Sequence, residues 1–144
     1  MEKEEEMADS IRKVDYFKAG VPNRKGEGAK ILAALRAEGV NLLAFTGFPI
    51  GGGRAQLDFV PENAAAFRRA VKKAGLKLAG KKRCFLIQGN DRAGVIAGIA
   101  AKLAEAGVSI IALYGLAAGN GRYGAILWVR TKDFAKAGRA LGAS

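Results

Sequence analysis

No histidine occurs in the 144 residues, and there is a single cysteine, Cys84. The first absence leaves general acid–base chemistry to carboxylates or lysines. The second excludes an internal disulfide and a multi-thiolate metal site. Proline is scarce, at three residues, and glycine abundant, at 20. Acids are few: 13 against 24 lysines and arginines, a net charge of +11. Five of the 13 (Glu2, Glu4, Glu5, Glu6 and Asp9) fall in the first ten residues. Residues 1–10 therefore read as a disordered acidic tail in front of a strongly basic body. That start lacks the basic and apolar regions of a signal peptide. The longest apolar stretch, Ala93 to Ala118, is interrupted by Lys102, Glu105 and Ser109 and does not read as a membrane span. A cytoplasmic protein with no metal and no cofactor is the expectation. Half the residues are hydrophobic and 26% are charged, the composition of a globular chain.

What the chain does have is a repeat. The stretch GNDRAGVIAGIAAKLAEAGVSIIAL, Gly89 to Leu113, has a near copy in VPNRKGEGAKILAALRAEGVNLLAF, Val21 to Phe45. Arg24 and Arg92, Gly26 and Gly94, Leu35 and Leu103, Gly39 and Gly107, and Gly47 and Gly115 all stand 68 apart. Further on the spacing drops to 67, pairing Phe67 with Phe134, so the second copy lacks one residue around its third strand. A unit of this size buries little core alone, so the copies are expected to pack on each other or on another chain.

Periodicity gives the elements. Ile11 to Ala19 reads as a strand, with a turn at Pro22–Gly26. A helix runs to about Glu38, with Ile31, Leu32 and Leu35 on its apolar stripe. Strands follow at Val40–Phe48 and Arg54–Val60, separated by the Gly51-Gly52-Gly53 turn. A helix with Phe67, Ala70, Val71 and Ala74 inward ends at Gly75, and Leu76–Gly80 reads as a fourth strand. The order then repeats: strand Lys82–Gln88, turn Asn90–Gly94, helix Val95–Ala106, strand Val108–Gly115, strand Tyr123–Arg130 and helix Asp133–Leu141. The second copy shows no final strand before Ser144. The pattern predicts an α+β chain of two tandem ferredoxin-like βαββαβ modules, 11–81 and 82–144, each an antiparallel sheet with both helices on one face.

In each copy a polar, glycine-containing turn precedes a helix. Helix N-termini present unpaired N–H groups and partial positive charge, a place that suits a carboxylate. Asn23 and Asp91 can also be read as simple N-caps. The order turn-(Asn/Asp)-Arg-x-Gly, helix, then Gly-Val-(Asn/Ser)-(Leu/Ile) resembles the ACT domain, a small ligand-binding regulatory module, over roughly Val14 to Leu141. The match is tightest at Asp91-Arg92-x-Gly94-Val95. Lys25 and Ala93 stand where the family commonly has proline, and Gly28 stands where it commonly has a large apolar residue, a place that Ile96 fills in the second copy. The resemblance implies a non-catalytic regulatory protein binding a small amino acid or related carboxylate between ACT modules. Its implied ligand residues are Asn23, Arg24, Gly26, Asn41 and Leu42 in the first copy. In the second they are Asn90, Asp91, Arg92, Gly94, Val95, Ser109 and Ile110.

Three other readings compete. Arg68, Arg69, Lys72, Lys73, Lys77, Lys81, Lys82 and Arg83 form an acid-free basic run, either a solvated face or a contact for an acidic protein or a phosphate backbone. Ferredoxin-like RNA-recognition modules stack bases on central-strand aromatics. Tyr123-Gly124-Ala125-Ile126-Leu127-Trp128 fits their pattern only in part, so RNA binding is the lesser alternative. For an enzyme, the scattered acids form no pair, and Cys84 sits in an apolar strand where thiols are inert. Finally, if Leu57, Phe59, Ala125 and Leu127 face the helices, then Ile111, Leu113, Ile126 and Trp128 face outward. An apolar outer face of that size predicts a homo-oligomer, most simply a twofold dimer.

Overall fold

The computed structural model describes residues 9–144. Residues 1–8 of the expected disordered tail lie outside the described residues, and Ser10, assigned to that tail, instead opens the first strand. The elements run β1 (Ser10–Pro22), α1 (Glu27–Ala37), β2 (Leu42–Gly51), β3 (Arg54–Pro61), α2 (Ala64–Ala74), β4 (Gly80–Asn90), α3 (Val95–Glu105), β5 (Ile110–Gly119), β6 (Arg122–Val129) and α4 (Phe134–Leu141). A 3-10 turn, Thr131–Asp133, leads into α4. The chain divides into two compact units: Asp15–Lys82, and Arg83–Ser144 together with residues 9–14.

In the first unit β3 lies between β2 and β1 and is antiparallel to both. Phe17 stands opposite Phe59, which also faces Phe45 across β2. Alternation along β1 and β3 then puts Phe17, Ala19, Val21, Leu57 and Phe59 on one face. Leu35 of α1 and Phe67, Ala70 and Val71 of α2 close over that face. The Phe67 ring sits 5.0 Å from Phe17 and 5.3 Å from Phe59. Both helices thus cover one side of the sheet, as the pattern predicts. The segment after α2 differs from expectation, because Leu76–Ala79 is not a strand. Gly75 ends the helix at φ +70°, and the Leu76 N–H donates back to the Val71 carbonyl at 3.1 Å. That residue's donor is spent on closing the helix, not on a ladder. Pairing resumes at Ala79, whose N–H donates to the Lys18 carbonyl.

In the second unit β6 lies between β4 and β5, again antiparallel to both. Phe85, Ile87, Tyr123, Ala125, Leu127 and Val129 meet Ile99 and Leu103 of α3 and Phe134, Ala137 and Leu141 of α4. The expected missing strand has a substitute from the other end of the sequence. β1 is the sheet neighbour of β4, and its residues 10–14 belong to this unit. Ile11 packs on the core. Ser144 exchanges two backbone bonds with that segment, donating to the Ile11 carbonyl (3.0 Å) and accepting from the Lys13 N–H (2.9 Å).

The one-residue slip falls after the third strand of the repeat. β3 and β6 stay 68 apart throughout, Arg54 to Arg122 and Pro61 to Val129, and the shorter connection is the turn into α4. Ala125 and Leu127 accordingly keep their expected inward direction. Two outer-face expectations need correction. Leu113 faces the core opposite Leu127, because a register shift between Ile110 and Ala112 inverts the alternation after it. Ile126 and Trp128 do point away from the helices, alternating with the inward Ala125 and Leu127, yet both are buried, at 7% exposure each. The large hydrophobics that remain exposed lie along the two edge strands: Phe45 and Ile50 of β2, and Ile111, Tyr114 and Leu116 of β5. No helix among the described residues is long and apolar enough to cross a membrane.

Candidate ligand site

The two polar turns each close on the start of the following hairpin. In the first unit the Asn23 N–H donates to the Gly53 carbonyl at 2.8 Å; in the second the Asp91 N–H donates to the Gly121 carbonyl at 2.7 Å. Each chain then enters its helix through a glycine in the left-handed region, Gly26 at φ +82° and Gly94 at φ +79°. A β-carbon there would be strained, which explains the glycine. Neither helix has a side-chain cap. The simple reading of Asn23 and Asp91 as N-caps is therefore not what the structure adopts. The capping residues are the glycines, and the first-turn amides are not sealed by a side chain.

A hollow lies beside each of these turns. The first, about 220 Å³, is lined by Asn23, Arg24, Glu27 and Gly28 on one side and by Gly47, Phe48 and Pro49 of β2 with Ala55 of β3 on the other. The second, about 290 Å³, is lined by Asp91, Arg92, Gly94, Val95, Ile96 and Ala97, facing Gly115, Leu116 and Ala117 of β5 and Tyr123 of β6. These volumes fall below the roughly 300–1,000 Å³ of pockets that hold drug-sized molecules, and so suit something smaller. The 68-residue spacing relates the linings: Arg24 to Arg92, Gly28 to Ile96, Gly47 to Gly115, Ala55 to Tyr123.

The structure brings together only part of the residue set that the ACT resemblance implies. Asn23 and Arg24, and Asp91, Arg92, Gly94 and Val95, line the hollows. Gly26 shapes its turn without lining the cavity. Asn90 accepts from the Arg122 guanidinium at 2.8 Å through its side chain and from Arg92 at 2.8 Å through its carbonyl. Asn41, Leu42, Ser109 and Ile110 are placed elsewhere. β1 and β2 are both antiparallel to β3, so the end of β1 meets the end of β2, not its beginning. Asn41 instead faces Glu62, with 3.3 Å between side chains, and Leu42 stands opposite Pro61. Ile110 stands opposite Val129, with Ser109 just before it. The residues that do face the turns, Gly47 and Gly115 with their successors, were in register in the repeat, which is the signal that could have found them.

The two hollows differ chemically. Arg24 is exposed and pairs with Glu27 at 3.3 Å. Arg92 is half-buried and makes a two-pronged pair with Asp9, at 2.8 and 3.2 Å. The first hollow has Gly28 where the second has Ile96, whose side chain would lie 3.2 Å from a β-carbon on Gly115. Only the second has a tyrosine. Tyr123 is 4% exposed, and its buried hydroxyl meets no partner in hydrogen-bond geometry. Burial raises its pKa, and the nearby Asp9 carboxylate raises it further against the opposing charges of Arg92 and Arg122.

The basic run is partly consumed within the chain. Arg68 lies over the Phe17 ring (5.1 Å), Arg83 over Phe134 (4.5 Å), and Lys73 pairs with Glu38 at 3.1 Å. The aromatics of the segment compared with the RNA-recognition pattern are buried: Tyr123 is 4% and Trp128 7% exposed. Among the described residues no cluster of acids and Cys84 could hold a metal.

No family model and no curated protein matches the sequence. Solved structures do match. A protein from Bacteroides thetaiotaomicron superposes with a TM-score of 0.73 at 18% identity, over 94% of this chain and 89% of that one. The ligand-free regulatory subunit of aspartate kinase from Thermus thermophilus gives 0.59 at 19% identity, over 93% and 94%. The corresponding subunit from Thermus flavus gives 0.58 at 19% identity, over 94% of each chain. With strands, helices and connections following these neighbours over nearly the whole length, the chain has the fold of the ACT-domain proteins.

Proposed function

We propose that the chain is two ACT modules in tandem, Asp15–Lys82 and Arg83–Ser144 with residues 10–14 completing the second, and that it acts as a regulatory protein for a small amino acid or related carboxylate. The observation that carries this reading is the repeated hollow: twice, an arginine and an uncapped helix start face a glycine on the adjoining strand. Backbone N–H groups and a guanidinium are suited to a ligand carboxylate. Within this reading a homodimer forms, and a second copy walls the open side of each hollow at the exposed strands β2 and β5. Ligand binding shifts the dimer or a partner equilibrium through its differential affinity for the two states. The unpaired part of the basic run, with Arg69 and Lys72, is the surface offered to an acidic partner.

Thermal unfolding in the presence of each of the twenty amino acids tests the proposal. A ligand at 100 times its dissociation constant adds about 2.7 kcal/mol of stability. A shift with one or a few related amino acids, reduced in Arg24→Ala, is the expected outcome. No shift with any of the twenty would count against amino-acid binding.

A further inference from the structure

The second helix of each unit carries charge of one sign. α2 has Arg68, Arg69, Lys72 and Lys73 and no acid; α4 has Lys136 and Arg139 and no acid. The helices that border the hollows are mixed, with Glu27 in α1 and Glu105 in α3. The 67-residue spacing that pairs Phe67 with Phe134 also pairs Arg69 with Lys136 and Lys72 with Arg139. Phe67 and Ala70 face one core, Phe134 and Ala137 the other. Helical geometry then turns the four cations outward, and all four are exposed. Among the described residues none of the four has an ion pair, whereas Lys73 is tied to Glu38 and Arg68 lies over the Phe17 ring. Cations three or four apart on one face repel each other, so each helix gives up some stability to keep them. The pull of a helix C-terminus accounts for Lys72 and Arg139, which sit in the last turns. It fades within that turn and leaves Arg69 and Lys136 unexplained.

Both an acidic protein and a phosphate backbone relieve such repulsion. The surroundings favour the second. Protein interfaces are held by buried aromatic and apolar anchors, with charges at the rim. The exposed large hydrophobics all lie on β2 and β5, and none on α2 or α4. A duplex backbone asks only for cations. Single strands add stacking on aromatics, and no aromatic is exposed on either helix. We propose that α2 and α4 are repeated, sequence-independent contacts for the phosphate backbone of duplex nucleic acid. Arg69 and Lys72 make the contact in one unit, Lys136 and Arg139 in the other. This names the chemistry of the acidic partner in the proposed function and extends its surface to both units. It rests on that part of the reading and not on amino-acid binding.

The test uses the full chain and a short fluorescein-labelled DNA duplex of mixed sequence, with fluorescence anisotropy read across a series of salt concentrations. Each phosphate neutralised steepens the fall of log affinity with log salt by about 0.9. A variant with Arg69→Ala, Lys72→Ala, Lys136→Ala and Arg139→Ala should therefore show a slope shallower by about two or more, and weaker binding at low salt. A second variant removes the same charge elsewhere, by Lys25→Ala, Lys30→Ala, Arg36→Ala and Lys102→Ala, and should keep the original slope. All eight side chains are exposed, so both variants should fold, and thermal unfolding checks that they do. An equal change of slope in the two variants would overturn the proposal by reducing it to net charge. So would absence of binding at low salt. Tighter binding to polyglutamate than to the duplex would also overturn it, in favour of an acidic protein. A thermal shift with any of the twenty amino acids, or with none, leaves these outcomes untouched, so the two readings fail separately.

Discussion

Tyr123 shows how one side chain ties the candidate site to stability. Its hydroxyl is held above its ordinary value of 10.0, first by burial and then by the charge of Asp9. As pH rises past that value, the unfolded chain releases the proton while the folded chain still holds it. The contribution is thus complete below about pH 10 and is lost as pH rises through the folded value. Tyr123→Phe removes a buried hydroxyl beside the Asp9 carboxylate, so at pH 7 it should change stability by no more than about 1 kcal/mol. Denaturant unfolding at pH 9 and pH 11 should show the unaltered protein losing more stability than the variant over that interval; parallel losses would refute the assignment. Gly94 makes a separate point at the same scale. A β-carbon added there would meet nothing within 4 Å, but φ is +79°. Gly94→Ala should therefore cost about 1 kcal/mol through the backbone alone, without disturbing the core.

Among the elements, α1, α3 and α4 start without a side-chain cap, and α2 is the contrast. The Asn63 side chain accepts the Ala66 N–H at 3.0 Å. Asn63→Ala should cost about 1 kcal/mol in chemical denaturation, and a loss near zero would show that this helix end is held by packing instead. The comparison matters because the starts of α1 and α3 border the two hollows, whereas those of the capped α2 and the uncapped α4 border neither. The elements were largely legible in the sequence. Helix stripes, glycine stops and the hairpin turns are local patterns, and they placed α1, α3, β3 and β6 to within a few residues. The strand expected at Leu76 was not, because a helix-closing bond from Leu76 uses the same donor that a strand would need. The direction of Leu113 was missed because a bulge at Ile111 leaves no distinct composition behind it.

For the molecule as a whole, the two edge strands, β2 and β5, are where the sheet's backbone groups are unpaired on one side. β2 carries Pro49, which removes a ladder donor and blunts that edge. β5, IIALYGLAAG, has ten residues without a charge or a proline, and Ile111, Tyr114 and Leu116 are 60%, 49% and 67% exposed. Self-association should therefore depend on β5. Sedimentation of the unaltered chain should show dimers at micromolar concentration, and Tyr114→Lys with Leu116→Lys should shift the balance to monomer by about tenfold or more. A chain that stays monomeric throughout would remove the dimer from the proposed function. The sequence by itself determined that one supersecondary unit occurs twice and that an arginine and a glycine precede a helix in each, because those signals lie within some twenty-five consecutive residues. Only the tertiary structure decided that the turns face Gly47 and Gly115 and not Asn41 and Ser109, that residues 10–14 serve the second unit, and that Asp9 sits on Arg92. Those pairings join residues far apart along the chain, and strand direction and burial, which no local pattern records, select them.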